Sequence, residues 1–431
     1  MAADLSVYGD TYKVTWPKSI ASLTVDGLRD SSWGVEGMVT VSIAAGDKER
    51  NLWGPVKVTL TKTGDIMQLG RSLFEQCPME SPSWASMLRD AFGAVLTHWR
   101  DGTAPIPLAD IPEPDGPRYL ISDFLLEHQT TMLAAEGASG KSYFALALAV
   151  SVASGIPLLG GRLAPWESAP VLYIDWETDG ATQSERVHRI CRGLGLMDVP
   201  ANLHYWRAYR SLMDMSRAIK RRAAELEAGL VIIDSIAPAC GAEMEKSDTA
   251  IRALNAISEL YPATRLVISH LSKANREGRA SDATPFGSIF FRELPRGGWT
   301  LTRTQLEDSD EVQCALMHTK VNMGKKLAPI AYRMTFRDDD PTAVEFHRMA
   351  LEDNADLADH ASLPRRIIAL MRSERRQLPA MEIAELLGVP AANVRTTLNR
   401  LKGNGDVVSL GEAKATTWAL AASDEDGQWW E

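Results

Sequence analysis

The hydrophobic pattern of the 431-residue chain changes character several times along its length. Up to residue 102, short β-type runs at 12–16, 38–43 and 56–60 are separated by Gly, Asp and Lys turns, as in a small antiparallel sheet. Residues 84–99 then take helical spacing, with Leu88, Phe92, Val95, Leu96 and Trp99 on one face. Residues 1–102 therefore read as a small N-terminal α+β domain, in which Trp16, Trp33 and Trp53 serve either core packing or base stacking. Residues 103–118 hold five prolines without periodicity and read as a semi-rigid linker.

From 119 to 337, apolar β-runs alternate with helical stretches. The predicted strands are 131–134, 171–175, 204–206, 230–234, 266–270, 298–302, 315–318 and 330–336. The early runs are almost continuously apolar, as in a parallel sheet covered on both faces, and the later ones are spaced like hairpins. The fold class this predicts is α/β, with a mixed, mainly parallel sheet. Residues 338–360 hold eight acidic residues, so 338–362 reads as an acidic connector. Helices are predicted at 365–374, 380–387 and 391–402, followed by strands at 407–410 and 416–420. This is a C-terminal winged helix-turn-helix pattern over 363–421. Residues 422–431 form an acidic tail.

Composition narrows the function class. Net charge is −10, so any nucleic-acid contact must come from local basic surfaces. The segment 363–421 is one such place, with nine Lys/Arg against five Asp/Glu. Cys77, Cys191, Cys240 and Cys314 lie far apart, which fits a reducing compartment and offers no zinc site. No apolar run approaches the ~18 residues of a membrane span, and a cytoplasmic location is expected.

The chemistry concentrates after the first apolar run. Ala135, Glu136, Gly137, Ala138, Ser139, Gly140, Lys141, Ser142 and Tyr143 follow a strand and open an apolar helix, the context of a phosphate-binding loop. Gly137 and Gly140 let backbone N–H groups curl around a polyphosphate, and the helix N-terminus adds its own. Lys141 would neutralise phosphate and Ser142 would hold Mg²⁺, so ATP and Mg²⁺ are the expected cofactors. Ala135 stands where the usual loop pattern begins with glycine. Taken alone, a Gly/Ser turn capping an apolar helix has the same sequence. Three strand ends complete the set: Asp234 for the Mg²⁺ shell, Glu177 as the base that polarises water with Asp175 as its competitor, and His270 as a phosphate sensor.

In that order, these residues resemble the RecA-fold hexameric ATPases of the DnaB and RepA type, best the RepA-like branch, over about 119–337. The resemblance implies that Glu177 is the catalytic glutamate and that His270 is that branch's histidine. It implies that Arg296 is an arginine finger reaching a neighbour's nucleotide. It also implies that Lys320 belongs to a trans-acting hairpin in which Asn322 replaces an arginine. A homo-oligomeric ring, a hexamer, follows. Single-stranded DNA would pass through it against Lys273, Arg276 and Arg279 in the loop 272–284, unless that loop is only a solvated basic one. In the C-terminal domain, Asn393, Arg395, Thr396, Asn399 and Arg400 would face duplex DNA or a protein, with Val394, Leu398 and Leu401 on the core side. The implied function is a replicative helicase-like protein of a phage or mobile element. The alternatives are an ATP-dependent DNA-binding regulator or loader that does not unwind, and a P-loop kinase.

Overall fold

The computed structural model describes residues 4–8, 11–16, 21–45, 48–78, 82–102, 105–112, 119–272, 284–305, 309–339, 342–359, 361–411 and 416–421. The chain divides into two compact units, Met1–Pro114 and Asp115–Glu431.

In the first unit, β1 (Asp4–Tyr8), β2 (Thr11–Thr15), β3 (Ala21–Ser31), β4 (Gly34–Ala45) and β5 (Lys48–Thr59) form an antiparallel meander in chain order. α1 (Thr63–Gln76) and α2 (Trp84–Asp101) follow. Val14, Leu23, Val39, Leu73, Leu88 and Phe92 share one core. Ser83 starts α2 by accepting a hydrogen bond from the Ser86 N–H. Trp16 is buried, Trp53 is packed against the core, and Trp33 is 77% exposed beside the β3–β4 turn. β1, β3 and α1 were not expected. β3 loses its alternation in a polar second half, and α1 buries only Ile66, Leu69, Gly70 and Leu73.

The second unit opens with a short hairpin, β6 (Tyr119–Ile121) and β7 (Leu125–Leu126). Then come β8 (Thr130–Ala135), α3 (Lys141–Ser154), β9 (Val171–Asp175), α4 (Gly180–Gly193), β10 (Leu203–Arg207) and α5 (Leu212–Glu225). They are followed by β11 (Leu230–Asp234), α6 (Ile236–Cys240), α7 (Ser247–Ser258), β12 (Thr264–His270), α8 (Phe290–Glu293) and β13 (Gly297–Thr304). The last strands are β14 (Glu311–Val321), β15 (Ile330–Arg337) and β16 (Ala343–Met349). The sheet order is β10-β9-β11-β12-β8-β13-β14-β15-β16. Pairing is parallel from β10 to β13 and antiparallel from β13 to β16. Every residue of β8, β9 and β11 is buried, because helices cover both faces. Phe144, Leu148 and Ile190 from α3 and α4 fill one side. Ile219, Ile257 and Phe291 from α5, α7 and α8 fill the other. α3 is apolar all round, as a helix inside a domain must be.

The acidic stretch 338–360 is not a bare connector. It contains β16, whose Ala343, Val344 and Phe346 are buried, and a short helix α9 (Ala355–Asp359). Its acidic residues crowd the flanks and mask a seven-residue strand when charge is averaged over the whole stretch. Beyond it lie α10 (Leu363–Glu374), β17 (Leu378–Pro379), α11 (Ala380–Leu386), α12 (Ala391–Asn404), β18 (Val407–Leu410) and β19 (Thr417–Leu420). The three strands form an antiparallel sheet in the order β17-β19-β18. Ile367, Ile383, Val394, Leu398, Leu401 and Trp418 make its core with the helices. Among the described residues no helix is long and apolar enough to cross a membrane.

Candidate nucleotide site

Strand register brings the candidate residues to one edge of the sheet. Asp175 at the end of β9 pairs with Asp234 at the end of β11, and His270 at the end of β12 pairs with Ala135 at the end of β8. The loop 136–140 leaves from that same edge, outside the carboxyl ends of parallel strands, where ligands of such sheets bind. Ala135 is a buried strand residue without positive φ, so alanine serves there as well as glycine. Gly140 is different. Its φ is +85, and an added Cβ would stand 3.1 Å from Met334 Cε. Ala138 also takes a left-handed φ of +57.

Lys141 is buried and its Nζ lies 3.5 Å from the Glu136 carbonyl across the loop. Burial lowers its pKa, against the attraction of Glu177 and Asp234. Asp234 is pushed up to about 6, chiefly by burial, although Tyr173 Oη donates to its Oδ2 at 2.5 Å and Ser142 lies beside it. Glu177 is held down to about 2, first by the His270 imidazole, whose Nε2 is 3.7 Å from its Oε1, and then by the Ser235 hydroxyl, which donates to that same oxygen. Glu177 is therefore ionised and aimed by two neighbours. Two buried atoms of the cradle, Ser139 Oγ and Asp234 Oδ1, have no hydrogen-bond partner among the described residues. Those unsatisfied atoms, with a buried ammonium that two carboxylates attract, suit a magnesium-bound triphosphate. A magnesium ion would be held by Ser142 and Asp234, and would supply positive charge against the phosphates.

Asp175 has another use. Its Oδ1 accepts the N–H of Glu177 at 2.7 Å and of Thr178 at 2.9 Å, and its Oδ2 accepts Gln183 Nε2 at 2.6 Å. It builds the turn from which Glu177 projects. Sequence reading missed this role, along with Tyr173, Gln183 and Ser235, although Ser235 directly follows Asp234. Arg303 was also missed. It donates to the Ala138 carbonyl from the end of β13, on the flank of the loop away from β12.

Arg296 and Lys320 are not at this edge. Arg296 precedes β13, and its N–H donates to Thr130 O at the start of β8. The level of Ala135 on β13 is Leu301, five residues further on, or roughly 16 Å of strand. Arg296 is exposed there and cannot serve the cradle of its own chain. Lys320 donates its Nζ to the carbonyls of Arg292 at 2.8 Å and of Glu293, the end of α8. Lys273, Arg276 and Arg279 lie outside the described residues. On α12, Asn393, Arg395, Thr396, Asn399 and Arg400 are exposed, while Val394, Leu398 and Leu401 are buried.

Residues 107–276 match the model of a family described as an AAA domain. The central domain is a P-loop NTPase domain. It has the RecA/AAA+ fold, and nucleotide binding in general goes with such a domain. Among solved structures, the chain is similar to the KaiC-like protein PH0186 from the hyperthermophilic archaeon Pyrococcus horikoshii OT3. Sequence identity is 14% and the TM-score 0.36, over 53% of this chain and 93% of that one. No curated protein matches the chain.

Proposed function

We propose that this P-loop NTPase domain drives an ATP-hydrolysing motor that acts on DNA, a replicative helicase-like protein of a phage or mobile element. The observation that carries the hydrolytic part is the convergence of Lys141, Asp234, Glu177 and His270 on one cradle, with Glu177 held ionised by His270 and Ser235. In this reading Lys141 and the loop amides grip the phosphates, and Glu177 orients the attacking water. His270 senses the terminal phosphate. Arg296 lies too far down β13 to reach its own cradle, which supports a finger role toward a neighbouring copy in a ring, a hexamer. The helices and sheet over 363–421 have the order of a winged helix-turn-helix, with α12 as its recognition helix. Asn393, Arg395 and Arg400 supply its polar, basic outer face.

The test is ATP turnover with no DNA, with a single strand and with duplex, alongside a strand-displacement assay on a forked substrate. A motor is stimulated by single strands and displaces the partner strand. The exposed face of α12 favours a second reading, an ATP-dependent DNA-binding regulator or loader. That protein would be stimulated by duplex and would displace nothing. Absence of ATP turnover under every condition removes both.

A further inference from the structure

The edge strand β10 ends in a segment whose chemistry differs from the rest of this acidic chain. Residues 203–211 read Leu-His-Tyr-Trp-Arg-Ala-Tyr-Arg-Ser, with two arginines, a histidine, three aromatics and no carboxylate. Trp206 packs on the core, but Tyr209 is 85% exposed and Arg210 is exposed beside it. The Arg207 guanidinium lies 5.3 Å from the centre of the Tyr209 ring. A solvated ring over one arginine and next to another is a surface on which an unpaired base stacks while its phosphate meets positive charge.

The same segment is tied to the turn that presents Glu177. Arg207 Nη1 donates to the Asp175 carbonyl at 3.0 Å and stands 3.7 Å from Asp175 Oδ1, the oxygen that accepts the Glu177 and Thr178 N–H groups. The Ala208 N–H donates to the Asp175 carbonyl at 2.8 Å. Trp176 Nε1 donates to the Arg210 carbonyl at 2.8 Å, and Tyr205 Oη donates to the Thr178 carbonyl at 2.7 Å. Whatever moves Tyr209 and Arg207 therefore pulls on the backbone from which the candidate catalytic carboxylate hangs.

We propose that Tyr209 and Arg210 form a contact for single-stranded nucleic acid, and that Arg207 and Tyr205 relay its occupancy to Glu177, setting the rate of hydrolysis. A single strand is specified because stacking on a lone ring needs a base free of its own stack. The inference rests on the reading of the protein as a DNA-acting ATPase.

The experiment uses the full chain with an oligo-dT of about 20 nucleotides, long enough to cover several contacts. Three quantities are read: oligonucleotide affinity, the ratio of stimulated to unstimulated ATP turnover, and photocrosslinking of a bromodeoxyuridine-substituted strand mapped by mass spectrometry. Tyr209→Ala is expected to weaken the oligonucleotide roughly 5- to 150-fold, the range of one base–aromatic stack, and to bring the ratio close to one. Tyr209→Phe keeps the ring and the parent ratio, and in the parent the crosslink maps to Tyr209. Arg210→Ala, an exposed change, gives the same direction and covers the case in which Tyr209→Ala fails to fold. A parent stimulated by the strand, with Tyr209→Ala and Arg210→Ala stimulated as strongly, overturns the relay and leaves the DNA-acting reading standing. A parent that neither binds nor responds to the strand overturns the relay together with the motor reading on which it rests. Weakened self-association with an unchanged ratio overturns it in favour of a contact between copies.

Discussion

At the scale of single residues, the candidate site has carboxylates with opposite duties. Glu177 faces the cradle, whereas Asp175 turns inward, and its two oxygens accept two backbone N–H groups and the Gln183 amide. A charged acceptor makes those bonds stronger than a neutral one does. Asp175→Asn keeps the volume but loses the charge and presents an NH₂ to a donor. The turn relaxes, and a misplacement of about 1 Å at a reacting group can cost on the order of 10²-fold. ATP turnover by Asp175→Asn should therefore fall ~10- to 100-fold, with affinity for a fluorescent ATP analogue close to the parent's. Full turnover in that variant would remove Asp175 as the organiser of Glu177. The phosphate loop, Asp234 and Glu177 were legible because each sits at a sequence-local landmark, a glycine pair or the end of an apolar run. Asp175 was legible only as a competitor for the base, since its burial and its partners depend on α4 and β10. Tyr173 was hidden for the same reason, its hydroxyl bonded to Asp234 across 61 positions of chain.

At the scale of elements, β9 and β11 each run one residue past an apolar stretch and end on a buried aspartate, so the end of the apolar run marks the end of the strand. β16 and β3 were missed, their short inward-facing sets diluted by acidic or polar neighbours. The β13–β14 pair holds a further device that composition could not reveal. His318 stacks on Trp299 with ring centres 4.3 Å apart, and its Nδ1 accepts the Leu327 N–H at 2.9 Å. Burial pushes this imidazole down to about 4 from an ordinary 6.5. It is neutral in the folded protein at pH 5, while the unfolded chain takes up the proton. Stability from this site is fully present above 6.5, is lost as pH falls from 6.5 toward 4, and does not change further below that. The loss over that window is up to about 3 kcal/mol, from 1.36 kcal/mol for each pH unit between the two values. His318→Gln retains an acceptor for Leu327 but does not titrate. Denaturant unfolding at pH 7, 5.5 and 4.5 should show a flatter pH dependence for the variant than for the parent. Equal slopes would remove the buried imidazole from the acid sensitivity.

At the scale of the whole molecule, the second unit has a cradle at one edge of its sheet and an exposed Arg296 at the other end of the same strands. In the proposed ring this polarity would make head-to-tail association productive: one copy's Arg296 would complete the next copy's pocket, and a heterologous contact that closes would form the ring. An arginine supplied in this way is worth ~10³–10⁵ in turnover. Arg296→Ala should thus lose almost all hydrolysis while keeping nucleotide affinity and assembly. Lys141→Ala should lose hydrolysis through its own cradle. The decisive measurement mixes the two. Each variant alone has no complete site, but an interface pairing the cradle of Arg296→Ala with the finger of Lys141→Ala is intact on both sides. Random equimolar assembly makes about one interface in four of that kind, so the mixture should recover a substantial part of that fraction of parent turnover. If co-sedimentation demonstrates mixed particles and the mixture stays as inactive as its components, Arg296 does not act across subunits. Full turnover by Arg296→Ala alone would be equally fatal to the finger, because the site would then be complete without Arg296.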